Sequence, residues 1–197
     1  MSPLTPKPIP LELSPAYFIF AYRKGYFPMS NEDHTKIEWY LPDDRAVMFL
    51  DKFHVSRSLG RVIKKRDFEI SFNHQFLQVM KACANRPETW ISPDLIDAFQ
   101  GLFELGYAES VEVTRRGVLV GGVYGVRVEK AFFAESMFHR ESNMSKVALW
   151  ALVTKLKQDG FTFFDCQMMS EHLKSLGAET LTNTQFQSLL ASALSAR

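Results

Sequence analysis

Two polar side chains interrupt an otherwise apolar segment, "GFTFFDCQMM", at residues 160–169. In a strand, alternate side chains point to opposite faces, so Asp165 and Gln167 would share a face with Phe161 and Phe163. The Cα atoms of the pair would lie about 7 Å apart, close enough for both side chains to contact one ligand atom. A buried carboxylate is costly unless it is hydrogen-bonded or neutralised. The pair is therefore either a structural hydrogen-bond pair or part of a reaction site, and residue type alone leaves both open.

Glu135 is a second candidate, within the strand-like run "AFFAESMF". Alternation predicts that it shares a face with Phe133 and Met137. A carboxylate on such an apolar strand could bind a cationic group. It could equally be an ion-pair partner of Arg140 or Lys146, and the sequence favours neither interpretation.

Cys166 suggests a rival chemistry, because a thiol near His172 and Asp165 could act as a nucleophile. Strand alternation, however, turns Cys166 away from Asp165. The residues that share its face, Phe164 and Met168, are typical of a core. We therefore expect Cys166 to be a small buried hydrophobic residue.

A basic face is predicted on the helical segment "HVSRSLGRVIKKRD", residues 54–67. Its cations recur at helical spacing and are Arg57, Arg61, Lys64 and Lys65. A phosphate backbone would fit this face, although a solvated surface is the common alternative. Trp90, in "RPETWIS", could stack on a base of single-stranded RNA, or it could pack in the core.

The totals exclude several classes of protein. The chain has 197 residues, 46% of them hydrophobic and 23% charged, with a net charge of +1. This is ordinary globular composition without a global basic field. Two cysteines are too few for a disulfide framework or a zinc site, so we expect a reduced, cytoplasmic protein with no metal. No stretch reaches the ~18 apolar residues of a membrane span, and the start does not resemble a signal peptide.

Helices and strands segregate along the chain. We predict helices over residues 14–25, 54–67, 74–85, 94–106, 142–160, 170–177 and 182–194, from apolar spacing, Ser and Pro at helix starts and Gly at helix ends. Residues 37–51 are predicted to be irregular and strand-like, with a break at Pro42, and 68–73 a short strand. Residues 107–138 predict a three-stranded antiparallel meander, followed by the long helix and the strand at 160–169. The fold class is therefore predicted as α+β, or mixed α/β.

The glycine-rich run "GVLVGGVYG", residues 117–125, lacks the glycine order of a dinucleotide-binding loop and does not precede a helix. Glycine inside a strand more often marks a bulge or a close approach of another group. We expect one of these here.

Nine runs in order connect these segments to one family. They are "AYRKGYFPM", "DDRAVMFL", "FHVSRSLGR", "ETWISPDLIDAFQGLFELGYAESVEV", "LVGGVYGV", "FFAESMF", "SNMSKVAL", "DCQ" and "HLKSLGAE". Together they span about residues 13–178 and resemble the bacterial leucyl/phenylalanyl-tRNA–protein transferases. The resemblance implies a small N-terminal domain, residues 1–42, on a GNAT-like acyltransferase domain, residues 43–197. Compared with well-known members, we expect a shortened, Pro-rich start.

The resemblance also implies an activity. Such an enzyme moves Leu or Phe, sometimes Met, from aminoacyl-tRNA to the α-amino group of proteins that begin with Lys or Arg. The product carries an N-degron that directs proteolysis. No cofactor, metal or membrane is implied, and we expect a monomer. The alternatives are a related transferase with another preference, or a non-catalytic RNA- or degron-binding module.

Residue roles follow from the same resemblance. Asp165 and Gln167 match the catalytic pair, Asp165 orienting the Gln167 amide, and Glu135 matches a carboxylate near the acceptor amine. Trp90 matches an aromatic residue that holds the terminal adenosine, and Met29 stands where known members carry a second Trp. The basic face would contact the tRNA backbone. The amino-acid pocket would be lined by Val123, Phe132, Leu149, Leu152, Leu156 and Phe164.

Overall fold

A computed structural model describes residues 13–196 of the chain, so the expected Pro-rich start lies outside the described residues. Its helices are α1 (Pro15–Arg23), α2 (Arg57–Lys65), α3 (Phe76–Ala84), α4 (Pro93–Glu104), α5 (Met144–Gln158), α6 (Glu171–Ser175) and α7 (Asn183–Ser195). Its strands are β1 (Phe27–Ser30), β2 (Ile37–Tyr40), β3 (Asp44–Val47), β4 (Glu69–Phe72), β5 (Ala108–Arg115), β6 (Val118–Val128), β7 (Ala131–His139), β8 (Phe163–Gln167) and β9 (Glu179–Thr182). A short 3-10 helix covers Leu50–Lys52.

Seven strands form one mixed sheet in the order β4-β5-β6-β7-β8-β3-β9. Among these neighbours only β7 and β8 are parallel. Helix α5 connects them and carries the chain back to the edge of the sheet at which β7 begins, so β8 runs in the same direction as β7. The early strand β3 enters between β8 and β9. Strands β1 and β2 form a separate two-stranded sheet.

Helices cover both faces of the large sheet. One apolar cluster joins α1, α3, α4 and α7 to the sheet residues Tyr124, Val126, Phe133 and Phe163. The other joins α2 and α5 to the opposite sheet face, which presents Val123, Phe132 and Phe164. Within residues 13–196, no helix is long and apolar enough to cross a membrane.

The predicted mixed α/β class, the meander and the helices at these positions are confirmed. The start of α1 follows its sequence signals, since the Ser14 hydroxyl accepts a hydrogen bond from the Tyr17 amide and Pro15 is the first helical residue. Two short strands, β1 and β9, were not predicted, because each has four residues and no clear alternation. Neither the parallel β7–β8 pair nor the position of β3 was predicted.

A bulge interrupts the pairing of β6 with β7. Ala134 pairs with Gly125 and Ser136 pairs with Tyr124, so Glu135 is the extra residue. Because of the bulge, Met137 packs against the cluster on the α5 side, whereas Phe133 belongs to the opposite cluster. The prediction that Met137 shares a face with Phe133 is therefore wrong. Of the two alternatives expected for the glycine-rich run, Gly125 shows a close approach of other groups, and it lies opposite this bulge rather than within it.

Gly125 makes the bulge possible, and we predict that Gly125→Ala is destabilising. A Cβ atom at this position would lie 2.3 Å from the Phe133 carbonyl oxygen and 2.6 Å from the Phe132 ring. Such overpacking should lower the free energy of unfolding by roughly 1–3 kcal/mol or more, measurable by urea denaturation.

Gly101→Ala is the matched control. Gly101 lies inside α4, and a Cβ atom there would meet nothing within 4 Å. We expect this variant to gain about 0.5–1 kcal/mol from helix propensity. Equal effects of the two substitutions would contradict the close packing at the bulge.

Candidate active site

Strands β7 and β8 separate after their last paired residues, Phe133 and Asp165. A cavity of about 210 Å³ opens where the two strands diverge. Its lining includes side chains from both strands past that point and from α5 and α6. The residues are Arg86, Trp90, Val123, Ala134, Glu135, Ser136, Met137, Leu149, Cys166, Gln167, Met168 and Leu173.

Asp165 is fully buried and forms a bidentate ion pair with Arg45 of β3. Arg45 Nε lies 2.9 Å from Asp165 Oδ1, and Nη2 lies 2.5 Å from Oδ2. The guanidinium carbon lies 4.7 Å from the ring centre of Phe27 and 4.6 Å from that of Phe186. Two aromatic faces and a bidentate carboxylate compensate the desolvated charge. The ion pair ties β3 to β8.

Gln167 adopts a left-handed backbone conformation with φ of 63°. Its backbone amide donates to Asp165 Oδ1 at 2.8 Å, and its side-chain Nε2 donates to Glu135 Oε1 at 3.0 Å. Asp165 therefore holds the Gln167 backbone, and Glu135 holds the side-chain amide. The prediction that Asp165 grips the side-chain amide is wrong, because Arg45 occupies the Asp165 carboxylate and the left-handed turn directs the Gln167 side chain across to β7.

Glu135 is buried, and one of its oxygens takes both of its protein hydrogen bonds. Oε1 accepts from the Tyr22 hydroxyl at 2.8 Å as well as from Gln167. Oε2 has no hydrogen-bond partner among the described residues. Burial, which outweighs the two hydrogen bonds, raises the pKa of Glu135 to about 8. The site therefore presents a carboxyl oxygen that gains or loses a proton near neutral pH.

The structure argues against a thiol mechanism. Cys166 packs in the cluster on the α5 side, away from the Asp165–Arg45 pair, and burial raises the pKa of its thiol further above its usual value. A thiolate is the nucleophilic form, and burial disfavours it here. Cys166 does contribute to the cavity wall.

Two of the six residues predicted for the amino-acid pocket line this cavity, namely Val123 and Leu149. The other four are fully buried in the same apolar cluster and do not belong to the cavity lining; they are Phe132, Leu152, Leu156 and Phe164. Strand alternation explains the case of Phe164, which packs on the sheet face opposite the Asp165 side chain. Ala134, Met137 and Leu173 provide apolar wall that was not predicted.

Trp90 is half-buried and lies at the cavity. Its backbone carbonyl accepts a hydrogen bond from the Ser30 amide at 3.1 Å and another from the Ser30 hydroxyl. Because Met29 precedes Ser30 in β1, the segment that carries Met29 is joined to the segment that carries Trp90. Met29 itself is half-buried against the core and does not line the cavity.

The predicted basic face is exposed on α2, where Arg57, Arg61, Lys64 and Lys65 are all accessible. In the described part of the chain only Lys65 of these four forms an ion pair, with Asp67 at 3.0 Å. None of these cations lines the cavity between β7 and β8. Residues 13–196 contain no group of three or more His, Cys, Asp or Glu side chains arranged to hold a metal ion.

Comparison with known proteins gives the family. The family model described as leucyl/phenylalanyl-tRNA protein transferase matches residues 47–191, and the model of the N-terminal domain of the same transferase matches residues 12–43. The chain belongs to the leucyl/phenylalanyl-tRNA–protein transferase family. The family resemblance found in the sequence motifs is thereby confirmed.

Relatives of this family match over most of their length. A leucyl/phenylalanyl-tRNA–protein transferase of Salinibacter ruber is 44% identical over 94% of this chain and 82% of its own. One from Aromatoleum aromaticum is 47% identical over 91% and 77%, and one from Gloeobacter violaceus is 44% identical over 92% and 94%.

Two solved structures share the fold at low sequence identity. FemX has a TM-score of 0.53 at 12% identity, with 75% of this chain and 64% of FemX covered. L-PGS from Bacillus licheniformis has a TM-score of 0.50 at 13% identity, with 87% and 67% covered. These likenesses concern the fold alone. The GNAT-like arrangement implied for the family agrees with the order of meander, long helix and parallel strand.

Three residues of the site were not singled out from the sequence, namely Tyr22, Arg45 and Arg86. Arg45 had a signal, because it alternates with Val47 in a short apolar strand, and a buried Arg requires a buried carboxylate. Tyr22 lies on the buried side of α1 and looks like ordinary core until Glu135 is placed beside it. Arg86 lies in a loop without any distinctive pattern.

We predict strong coupling between Arg45 and Asp165. Arg45→Met leaves the Asp165 charge buried and unpaired, so it should lower the free energy of unfolding by about 3–5 kcal/mol. Asp165→Asn leaves the guanidinium unpaired but retains an oxygen for the Gln167 amide. In urea unfolding, the double variant should lose about 1–3 kcal/mol less free energy of unfolding than the two single variants lose together. Additive losses would contradict the ion pair.

We also predict a pH-dependent stability difference for Glu135→Gln. The unfolded carboxyl ionises near 4.5, whereas the folded one stays protonated up to about 8. The folded form of the wild type therefore holds one extra proton between these values and loses stability as pH rises, by up to about 1.4 kcal/mol per pH unit. Gln does not titrate and preserves the acceptor oxygen. The free energy of unfolding of the variant should therefore rise relative to that of the wild type between pH 5 and 8.

Urea unfolding of both proteins across this range measures the difference, and other titrating groups cancel in the subtraction. The difference should level off above about pH 8, where the folded carboxyl has also ionised. A difference that is flat from pH 5 to 8 would mean that Glu135 has an ordinary pKa.

Proposed function

We propose that this protein transfers Leu or Phe from aminoacyl-tRNA to the α-amino group of proteins that begin with Lys or Arg. The observation that carries the proposal is the unpartnered, buried Oε2 of Glu135, held beside Gln167 in a cavity that Trp90 borders. In a member of this family, that arrangement suits the meeting of an amine with an ester.

The reaction converts an ester into an amide. The acceptor nitrogen attacks the carbonyl carbon of the aminoacyl ester, the new C–N bond forms, and the bond from carbon to the ribose oxygen breaks. One proton leaves the nitrogen, and one proton ends on the departing ribose oxygen. The ester is already activated, so holding the amine against the carbonyl supplies much of the rate.

Glu135 is proposed to receive the amine. A protein α-amino group ionises near pH 7.7–8.0, roughly where the Glu135 carboxyl ionises. Near neutral pH the two groups can therefore exchange a proton with little free-energy difference. With Oε1 occupied by Tyr22 and Gln167, Oε2 is the oxygen available to the amine.

Gln167 is proposed to hold the same nitrogen. Its Nε2 donates to Glu135, so its amide oxygen is the acceptor it offers to the substrate. Asp165 and Arg45 then act as positioning residues, because Asp165 fixes the Gln167 backbone in its left-handed conformation and Arg45 fixes Asp165.

The substrate side chain is proposed to lie against the apolar wall of the cavity, which includes Val123, Ala134 and Leu149. Such a wall favours Leu, Met and Phe over smaller residues by burial and rejects a charged side chain strongly. Phe132, Leu152, Leu156 and Phe164 support this wall from the adjoining core.

The remaining features are assigned to tRNA. Trp90 is proposed to stack on the terminal adenosine, with Met29 nearby on the adjoining strand, and the exposed basic face of α2 to contact the tRNA backbone. We place the domain division near Pro42, which is supported by the change from the β1–β2 sheet to the large sheet. We also propose that the protein acts as a monomer, and that it does so in the cytoplasm, where aminoacyl-tRNA and N-terminal degradation signals are found.

The test is transfer of labelled Leu or Phe from tRNA to peptides that begin with Lys or Arg. We predict that Gln167→Ala lowers kcat by about 10²-fold while aminoacyl-tRNA still binds, because the amine loses its hydrogen-bond acceptor and Glu135 loses a donor. Cys166→Ala should have only a mild effect, since the thiol is buried and protonated.

Peptides that begin with Asp or Ala, and Arg-tRNA as donor, are the specificity controls. Loss of activity in Cys166→Ala together with normal turnover in Gln167→Ala would overturn the assignment of roles. No peptide extension by the wild type would overturn the proposed function and favour a binding module.

A further inference from the structure

A second and larger cavity adjoins the reaction cavity. Its volume is about 490 Å³, within the roughly 300–1,000 Å³ of small-ligand sites. Arg86 and Met137 line both cavities, so the two are neighbours. The side chains that matter for its chemistry are Arg86, His139, Arg140, Ser145 and His172.

Both guanidiniums in this cavity have neutral partners only. Arg86 donates to the Ser136 hydroxyl and to the Met137 carbonyl, and Arg140 donates to the Leu119 carbonyl at 2.9 Å. Neither forms an ion pair with any residue of the described chain. The cavity lining contains no Asp or Glu. Its positive charge is therefore available to a ligand.

His172 adds an unused polar atom. Its Nε2 is buried and has no hydrogen-bond partner among residues 13–196. Burial, and then the positive charges of Lys146 and His139, lower the pKa of His172. An anion in the cavity would offset these charges and favour a hydrogen bond from the imidazole.

The fold contributes one more positive element. Helix α5, of 15 residues, begins beside the cavity, and Ser145 in its first turn lines it. The Met144 amide donates to the Glu141 carbonyl at 3.1 Å, but the amides of Ser145 and Lys146 also lie in the first turn, where helix amides have no partner within the helix and attract anions. Side chains and helix together favour a phosphate group over a neutral or cationic ligand.

We propose that this cavity binds the phosphodiester backbone of the single-stranded 3′ end of aminoacyl-tRNA, next to the terminal adenosine. The inference rests on the proposed function and names a subsite for the donor. The RNA strand that delivers the ester to the reaction cavity must leave that cavity through a neighbouring space. The larger cavity is such a space, because it shares a wall with the reaction cavity. An acceptor that begins with Lys or Arg would meet like charge here, so the acceptor is expected elsewhere.

The experiment compares two stable donor analogues by calorimetry. One is adenosine carrying Phe through an amide at its 3′ position, which has no phosphate. The other is the trinucleotide CCA with the same Phe amide on its terminal adenosine, which has two phosphodiesters. The wild type should bind the second at least about tenfold more tightly, with a salt slope more negative by about 0.7 for each phosphate contacted.

Arg140→Gln is the test variant because Arg140 lies outside the reaction cavity. It should weaken binding of the trinucleotide analogue by about tenfold, reduce its salt slope by about 0.7, and leave the adenosine analogue unaffected. Unchanged binding of the adenosine analogue also shows that the variant is folded. His172→Gln, at a half-buried side chain, is the second variant should Arg140→Gln fail to fold.

Lys24→Gln is the charge-matched control. Lys24 is an exposed cation at the end of α1 and lines neither cavity. If Lys24→Gln weakened binding of the trinucleotide analogue as much as Arg140→Gln does, the overall positive charge of the protein would explain the effect, and the proposal would fall. Equal wild-type affinity for the two analogues, or an effect of Arg140→Gln confined to the KM of the acceptor peptide, would overturn it too.

Transfer assays keep the two proposals separate. A wild type that extends peptides while Arg140→Gln binds both analogues normally refutes only the phosphate subsite. A wild type that shows the expected phosphate dependence but extends no peptide refutes the transferase proposal and retains the subsite as an RNA-binding feature.

Discussion

The ion pair between Arg45 and Asp165 is the interaction on which the site geometry depends. A bidentate, fully buried pair has only a narrow range of allowed geometries, so it fixes β3 beside β8. The rings of Phe27 and Phe186, which flank the guanidinium, draw β1 and α7 into the same arrangement. Asp165 also accepts a hydrogen bond from the Gln167 backbone amide, so the ion pair fixes the position of a residue that lines the cavity between β7 and β8.

The cavity itself results from two local departures from regular strand structure. Glu135 is the extra residue of a bulge in β7, and Gln167 turns left-handed at the end of β8. Each departure aims a polar side chain into the gap between the diverging strands, where the two meet at 3.0 Å. The enclosure that makes room for a substrate also removes water from Glu135. Desolvation raises its pKa to about 8, so the shape of the site and its proton chemistry have one cause.

Much of the fold could be predicted from apolar spacing and helix caps, as at Ser14 and Pro15, where the signals are local. The polar residues Asp165, Gln167 and Glu135 could also be found, because polar groups on apolar strands are conspicuous. Their partners could not be assigned, since strand alternation fails at a bulge and at a left-handed residue. The position of β3 is set by a contact across 120 residues of sequence, and only a search for the carboxylate that a buried Arg45 requires would have indicated it.

The charge distribution around the two cavities fits the proposed division between acceptor and donor. The reaction cavity contains one ionisable carboxyl, Glu135, whose neighbours within it are mostly neutral, and this suits an amine that must lose a proton. The adjoining cavity contains guanidiniums and histidines without a carboxylate, which suits phosphate and repels a basic N-terminus. Arg86 and Met137 form the wall between them. A donor bound across both cavities would therefore have its ester beside Glu135 and its backbone away from the acceptor. The same short stretch of β7 would then both place the nucleophile and orient the leaving ribose.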